Sequence, residues 1–164
     1  NPCCVGVTIC RPRSWEPAPP PTTGSISRDG AQIFTFEVGG RVVTVEQHEE
    51  QRRRGSSDDM HTVIWESAQL LHAYLVDEDR YPPGHFAGMR VIELGSGTGA
   101  VGLMLAALGA QVTLTDVPAA LPRLRRNLET NFPTTVAHRA LALEWGKALP
   151  TELAGHFDLI VCSD

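Results

Sequence analysis

Val91-Ile92-Glu93-Leu94-Gly95-Ser96-Gly97-Thr98-Gly99 decides the fold of this 164-residue chain. Met89 to Leu94 reads as a short buried strand carrying one acid, Glu93. It runs into three glycines at alternate positions and then into an apolar stretch, Ala100 to Leu108, that reads as a helix. Glycine is needed there because the backbone must turn sharply and admit a ligand closer than a Cβ would allow. The first turn of the new helix offers N–H groups with no partner inside the helix. Strand, glycine turn and helix together mark a nucleotide-type cofactor site.

The turn leaves more than one cofactor open. Gly97-Thr98-Gly99-Ala100-Val101-Gly102 also satisfies the dinucleotide pattern GxGxxG, which is weak evidence alone. A phosphate-binding NTPase loop is excluded, since no Gly-Lys-Ser/Thr follows. Glu93 tips the balance between the remaining two. A pyrophosphate is repelled by a nearby carboxylate, whereas a cationic ligand is attracted. Glu-x-Gly-x-Gly-x-Gly resembles the first motif of class I S-adenosylmethionine methyltransferases, whose cofactor carries a sulfonium and an ammonium. On this reading Glu93, Gly95, Gly97 and Gly99 hold the cofactor.

Composition fits one globular domain, with 42% hydrophobic and 20% charged residues. A net charge of −5 argues against a general nucleic-acid binder, which would carry a basic face. Lys147 is the only lysine, so an enzyme acting on lysines is expected to act on another molecule. Cys3, Cys4, Cys10 and Cys162 suggest neither a disulfide framework nor, lacking histidines at ligand spacing, a metal site. Cys162, in an apolar run, is expected to be a small buried residue. No apolar run is long enough to span a membrane, and Val5 to Cys10 is too short for a signal segment. A cytoplasmic or nuclear protein is expected.

Residues 1–30 hold six of the twelve prolines and little apolar periodicity, and are expected to form a disordered or extended leader. Trp15 within it reads as a docking residue or as incidental. Ile33 to Val38 and Arg41 to Glu46 flank Gly39-Gly40, a strong hairpin signal. Gln51 to Asp59 reads as a polar loop, whose Arg52-Arg53-Arg54 either is solvated or meets an acidic surface. Ala68, Leu71 and Leu75 recur at helical spacing from Trp65 to Val76. Gly109 closes the helix after the glycine turn, and Gln111 to Asp116 is a second core strand. Pro122 is expected at the first position of the next helix, with Leu124 and Leu128 inward. Val136 to Leu143 and Phe157 to Cys162 are the third and fourth strands. The order predicts an α/β, doubly wound sheet after a hairpin, with the hairpin over residues 33–46 and the core over residues 64–164.

Asp116 ends the second strand, 17 residues after Gly99, where a carboxylate can accept both ribose hydroxyls of an adenosine or simply cap a helix. Trp145, just past the third strand, reads as an adenine wall or as a core tryptophan. Taken with Trp65-Glu66-Ser67-Ala68, Leu114-Thr115-Asp116-Val117-Pro118, Leu143-Glu144-Trp145-Gly146 and Phe157 to Asp164, the glycine motif resembles methyltransferase family 16. These are the seven-β-strand protein-lysine methyltransferases, and the resemblance covers about Ile33 to Asp164. It implies a Rossmann-like class I fold, S-adenosyl-L-methionine as cofactor and a lysine of another protein as substrate. By position it implies cofactor contacts at Trp65, Gly95, Ser96, Gly97, Asp116, Trp145 and Ser163. The family's acid-x-x-aromatic motif begins at Asp164, the expected amine-orienting catalytic residue, where the sequence ends. The sequence is therefore expected to be the N-terminal half of a longer enzyme, inactive by itself. A nicotinamide-dependent oxidoreductase and a non-catalytic methyltransferase-like interaction module are the competing functions.

Overall fold

The computed structural model describes residues 22–26, 30–48, 63–134 and 136–163. Trp15, Cys3, Cys4, Cys10, the Arg52–Arg54 run and Asp164 lie outside the described residues.

A three-stranded antiparallel sheet comes first: β1 (Thr22–Ile26), β2 (Gln32–Val38) and β3 (Arg41–Gln47), in that order. Gly39 and Gly40 have φ of 54° and 74°, and Val38 pairs with Arg41 across them. Two successive left-handed residues are what a two-residue hairpin turn demands. Alternation then puts Phe36, Val38, Val43 and Val45 on one buried face. Strand β1 corrects the expectation of disorder over Thr22–Ile26, where the leader is extended and paired. It is held by its ladder to β2, Thr22 opposite Thr35, and Ile26 remains exposed, so no apolar pattern announces it.

Helix α1 (Glu66–Leu75) leads to β4 (Arg90–Leu94), followed by α2 (Ala100–Ala107) and β5 (Gln111–Asp116). A 3₁₀ turn over Pro118–Ala120 precedes α3 (Leu121–Asn131), then come β6 (Arg139–Ala142) and β7 (Leu159–Cys162). Pro122 stands at the second helical position rather than the first, because the 3₁₀ turn brings the chain round one residue earlier. The third strand is shorter than expected at its start, and Val136 is fully exposed.

Strands β4 to β7 form one parallel sheet in the order β6-β5-β4-β7. The chain moves outward from β4 to β6 and then crosses to the other side of β4, so the winding reverses at β4. A crevice opens beyond the strand ends at such a reversal. Cys162, expected to be buried, is exposed, because β7 has a neighbour on one side only among the described residues.

Helix α2 is apolar all round, and seven of its eight residues are buried. It lies in a core shared by the parallel sheet and the hairpin face, which is how so apolar a helix avoids water. The outer edge of β3 is closed by α3. Asn131 Oδ1 accepts Thr44 N–H at 2.8 Å and its Nδ2 donates to Thr44 O at 2.7 Å. Asn127 treats Glu46 alike, at 3.0 and 3.2 Å. Four residues of helix rise about 6 Å and two of strand about 6.8 Å, so the two amides match alternate strand residues. They stand in for a fourth strand.

Candidate functional site

Register places the site. Leu94 lies beside Thr115 of β5 and Cys162 of β7, so Gly95, Asp116 and Ser163 follow in a row beyond the sheet edge. A cavity of about 770 Å³ opens there, within the usual range for small-molecule sites. Glu93, Gly95, Ser96, Gly97, Asp116 and Ser163 all line it. Trp65 closes it from the start of α1 with Val63, Ile64 and Ala68, and the Val117-Pro118-Ala119 turn forms another wall.

The glycine turn is held from below. Gly95, Gly97 and Gly99 have φ of 63°, 55° and 83°, values that favour glycine. Ser96 N–H donates to Thr115 O at 3.0 Å, Gly97 N–H to Asp116 Oδ2 at 2.7 Å, and Gly99 N–H to Ser96 O at 2.7 Å. Asp116 Oδ1 also accepts the N–H of Val117 at 2.6 Å. The Ser96 hydroxyl accepts Thr115 N–H at 3.0 Å and donates to Glu93 O at 3.3 Å. Ser96 is therefore a brace between β4 and β5, as is fully buried Thr115, whose Oγ1 donates to Glu93 O at 2.6 Å.

Glu93 is 2% exposed and accepts the N–H of Gly102 at 3.0 Å, a donor in the first turn of α2 that would otherwise be orphaned. Burial pushes its carboxyl up to about 8, opposed by the Gly102 and Ser96 hydrogen bonds and reinforced by the charge of Asp116. Among the described residues the wall carries three carboxyl residues, Glu93, Asp116 and Glu144, and no lysine, arginine or histidine. Among the described residues no cluster of histidine, cysteine or carboxylate could hold a metal.

Two of the expected cofactor residues stand elsewhere. Gly99 does not line the cavity; it caps α2, and a Cβ there would come within 3.0 Å of Leu124 and 3.1 Å of Leu114. Trp145 is 72% exposed, so it is no core residue. Its indole lies over the outer side of Gly95, 3.5 Å from where a Cβ would stand, and the neighbouring Glu144 takes the lining position. Val63, Ile64, Glu144, Thr115 and Asn127 were not anticipated as site residues. Pro118 and Glu144 belong to motifs quoted above, but nothing in spacing alone marks their side chains as walls.

A sequence model of the family described as lysine methyltransferase matches residues 46–164. Protein N-lysine methyltransferase METTL21A of Mus musculus is 37% identical over 134 residues, covering 80% of this chain and 57% of that protein. EEF1A lysine methyltransferase 3 of Xenopus tropicalis is 39% identical over 83 residues, 51% of this chain and 35% of its own length. The chain thus spans about half the length of the curated relatives it matches. Among solved structures, the Thermus thermophilus 16S rRNA N2 G1207 methyltransferase in complex with AdoMet and guanosine superimposes with a TM-score of 0.57 at 27% identity. That match takes in 80% of this chain and 32% of the other. The α/β architecture, the reversal at β4 and the match over residues 46–164 agree: the chain belongs to the lysine methyltransferase family.

Proposed function

We propose that this protein is an S-adenosylmethionine-dependent methyltransferase acting on a lysine of another protein, and that the cavity beyond β4, β5 and β7 holds the cofactor. One observation carries the reading: among the described residues the wall has three carboxyl residues and no cation, and the N–H groups of Ser96, Gly97 and Gly99 are already engaged. A pyrophosphate needs those donors and is repelled by those acids, whereas a cationic ligand suits both. The neighbour solved with AdoMet and the lysine methyltransferases of similar sequence support the same choice.

When bound, the cofactor supplies a methyl group already activated on a sulfonium, so the chain mainly binds, aligns and excludes water. Asp116, half-buried and anchored on the turn, is the residue we assign to the ribose hydroxyls. Glu93 answers the ligand's positive charge, and Trp65 with Val63 and Ile64 closes the site from water. Asp164, one residue past Ser163, is assigned to orient the attacking amine. The sole lysine, Lys147, leaves little to methylate in the chain itself.

S-adenosylhomocysteine is expected to raise the melting temperature of the chain and NAD to leave it unchanged; the reverse result identifies a dehydrogenase. Asp116→Ala is expected to weaken S-adenosylmethionine by about 1–3 kcal/mol in calorimetry, the usual cost of unpaired hydrogen-bonding groups. Unchanged affinity removes the ribose assignment. Methyl-labelled cofactor given with a cell lysate to the full-length protein is expected to yield methyllysine; label in nucleic acid, or none, overturns the substrate class.

A further inference from the structure

The groups that flank the opening bond of α2 are satisfied by side chains. The ladder starts with Leu103 N–H on Gly99 O at 2.9 Å. One residue earlier, Gly102 N–H goes to Glu93 and Thr98 O goes to Asn127 Nδ2 at 2.8 Å. Two side chains thus satisfy a first-turn donor and a turn carbonyl that lie just outside the helical ladder. Thr98 is 2% exposed and lines the cavity between Gly97 and Gly99, so its carbonyl has little access to water if Asn127 is lost. Asn127 itself is 1% exposed, with both Nδ2 donors committed, one to Thr98 O and one to Glu46 O of β3.

We infer that Asn127 is a positioning residue for the cofactor turn, fixing the Thr98 carbonyl from the hairpin sheet, so that β3 belongs to the scaffold of the site although it lies outside the parallel sheet. The inference rests on the reading of the cavity as the cofactor site. Its physical content is a short rigid link: strand backbone, one amide, turn carbonyl. Asn131 makes the same kind of bridge to Thr44 but reaches only β3 and its own helix, through Asn127 O at 2.7 Å. It is a built-in control.

The experiment compares Asn127→Ala with Asn131→Ala in the whole chain, with two readouts. Both variants lose a bridge to β3, so both are expected to melt earlier. In calorimetry, S-adenosylhomocysteine is expected to bind Asn127→Ala roughly tenfold more weakly, the order of effect of stranding one buried carbonyl, and Asn131→Ala within about twofold of wild type. Hydrogen exchange of the Gly97 and Gly99 amides in the empty protein is expected to accelerate in the Asn127 variant only. Asn127→Leu, which refills the volume without the donors, guards against a variant that fails to fold and should behave as Asn127→Ala. Equal effects at both positions on affinity and on exchange overturn the inference. If wild type binds no S-adenosylhomocysteine, the proposed function falls, and the exchange contrast alone decides the role of Asn127.

Discussion

Glu93→Gln is expected to make the empty protein more stable than wild type above pH 8 and to cost it cofactor affinity. The folded carboxyl sits at about 8 against an ordinary 4.5. An acid raised on folding binds more protons in the folded state, so stability is fully present below about 4.5 and is lost as pH rises through 8. At about 1.4 kcal/mol per pH unit the interval corresponds to about 5 kcal/mol. Glutamine keeps an oxygen for Gly102 N–H and cannot ionise, so its stability should lack that slope. Denaturant melts of both proteins at pH 5.5 and 8.5 decide it; parallel pH dependence shows that Glu93 is not the titrating group. The same carboxyl, facing a cation, is pulled back toward its ordinary range. Binding of S-adenosylmethionine to wild type near neutral pH is therefore expected to release a proton, seen as a binding heat that depends on the buffer, and the glutamine variant to release none.

Gly102→Val is expected to be the most damaging single change in α2. An exposed helical glycine usually gains about 1 kcal/mol on replacement by alanine. Here a Cβ would stand 2.1 Å from Leu114 Cδ2 and 2.7 Å from Glu93 Oε2. Leu114 is fully buried and cannot swing away without opening the β5 side of the core. Overpacking of this kind costs about 1–3 kcal/mol for the first carbon, and valine adds two more with a β-branch that helices disfavour. Alanine should already lose more than its helix propensity returns, and valine should cost about 3 kcal/mol or more. Chemical denaturation of the pair tests the order; an alanine variant more stable than wild type would show that the helix can lift from the sheet.

Much of this was legible in the residues because it follows from local rules. A Gly-Gly turn between alternating strands forces the hairpin. Glycines at 95, 97 and 99 force the turn after β4, and the acid at the end of β5 lands beside it by parallel register. The rest depends on neighbours that no local pattern encodes. Strand β1, with the sequence Thr22-Thr23-Gly24-Ser25-Ile26, has no apolar alternation and is placed by its ladder to β2. Cys162 reads as buried from its apolar neighbours, yet among the described residues β7 stands at the sheet edge. Gly99 belongs to the motif by spacing, but its open side faces Leu114 and Leu124 instead of the cavity. Asn127 carries no local signal, because the strand it reaches lies 81 positions earlier.

Apart from the ion pair of Arg126 with Glu46 at 3.0 Å, the seam between α3 and β3 is written in main-chain atoms on the strand side. Asn131 and Asn127 read the N–H and C=O of Thr44 and Glu46, which every residue but proline possesses. Position 44 can therefore drift in sequence without loosening the joint, and position 46 would lose only its ion pair with Arg126, while 127 and 131 bear most of the specificity. Homologous chains compared residue by residue would show one half of this contact held and the other apparently random. A pairwise covariation signal across the seam should be faint for the same reason, and proline at 44 or 46 should be the substitution that natural variation avoids.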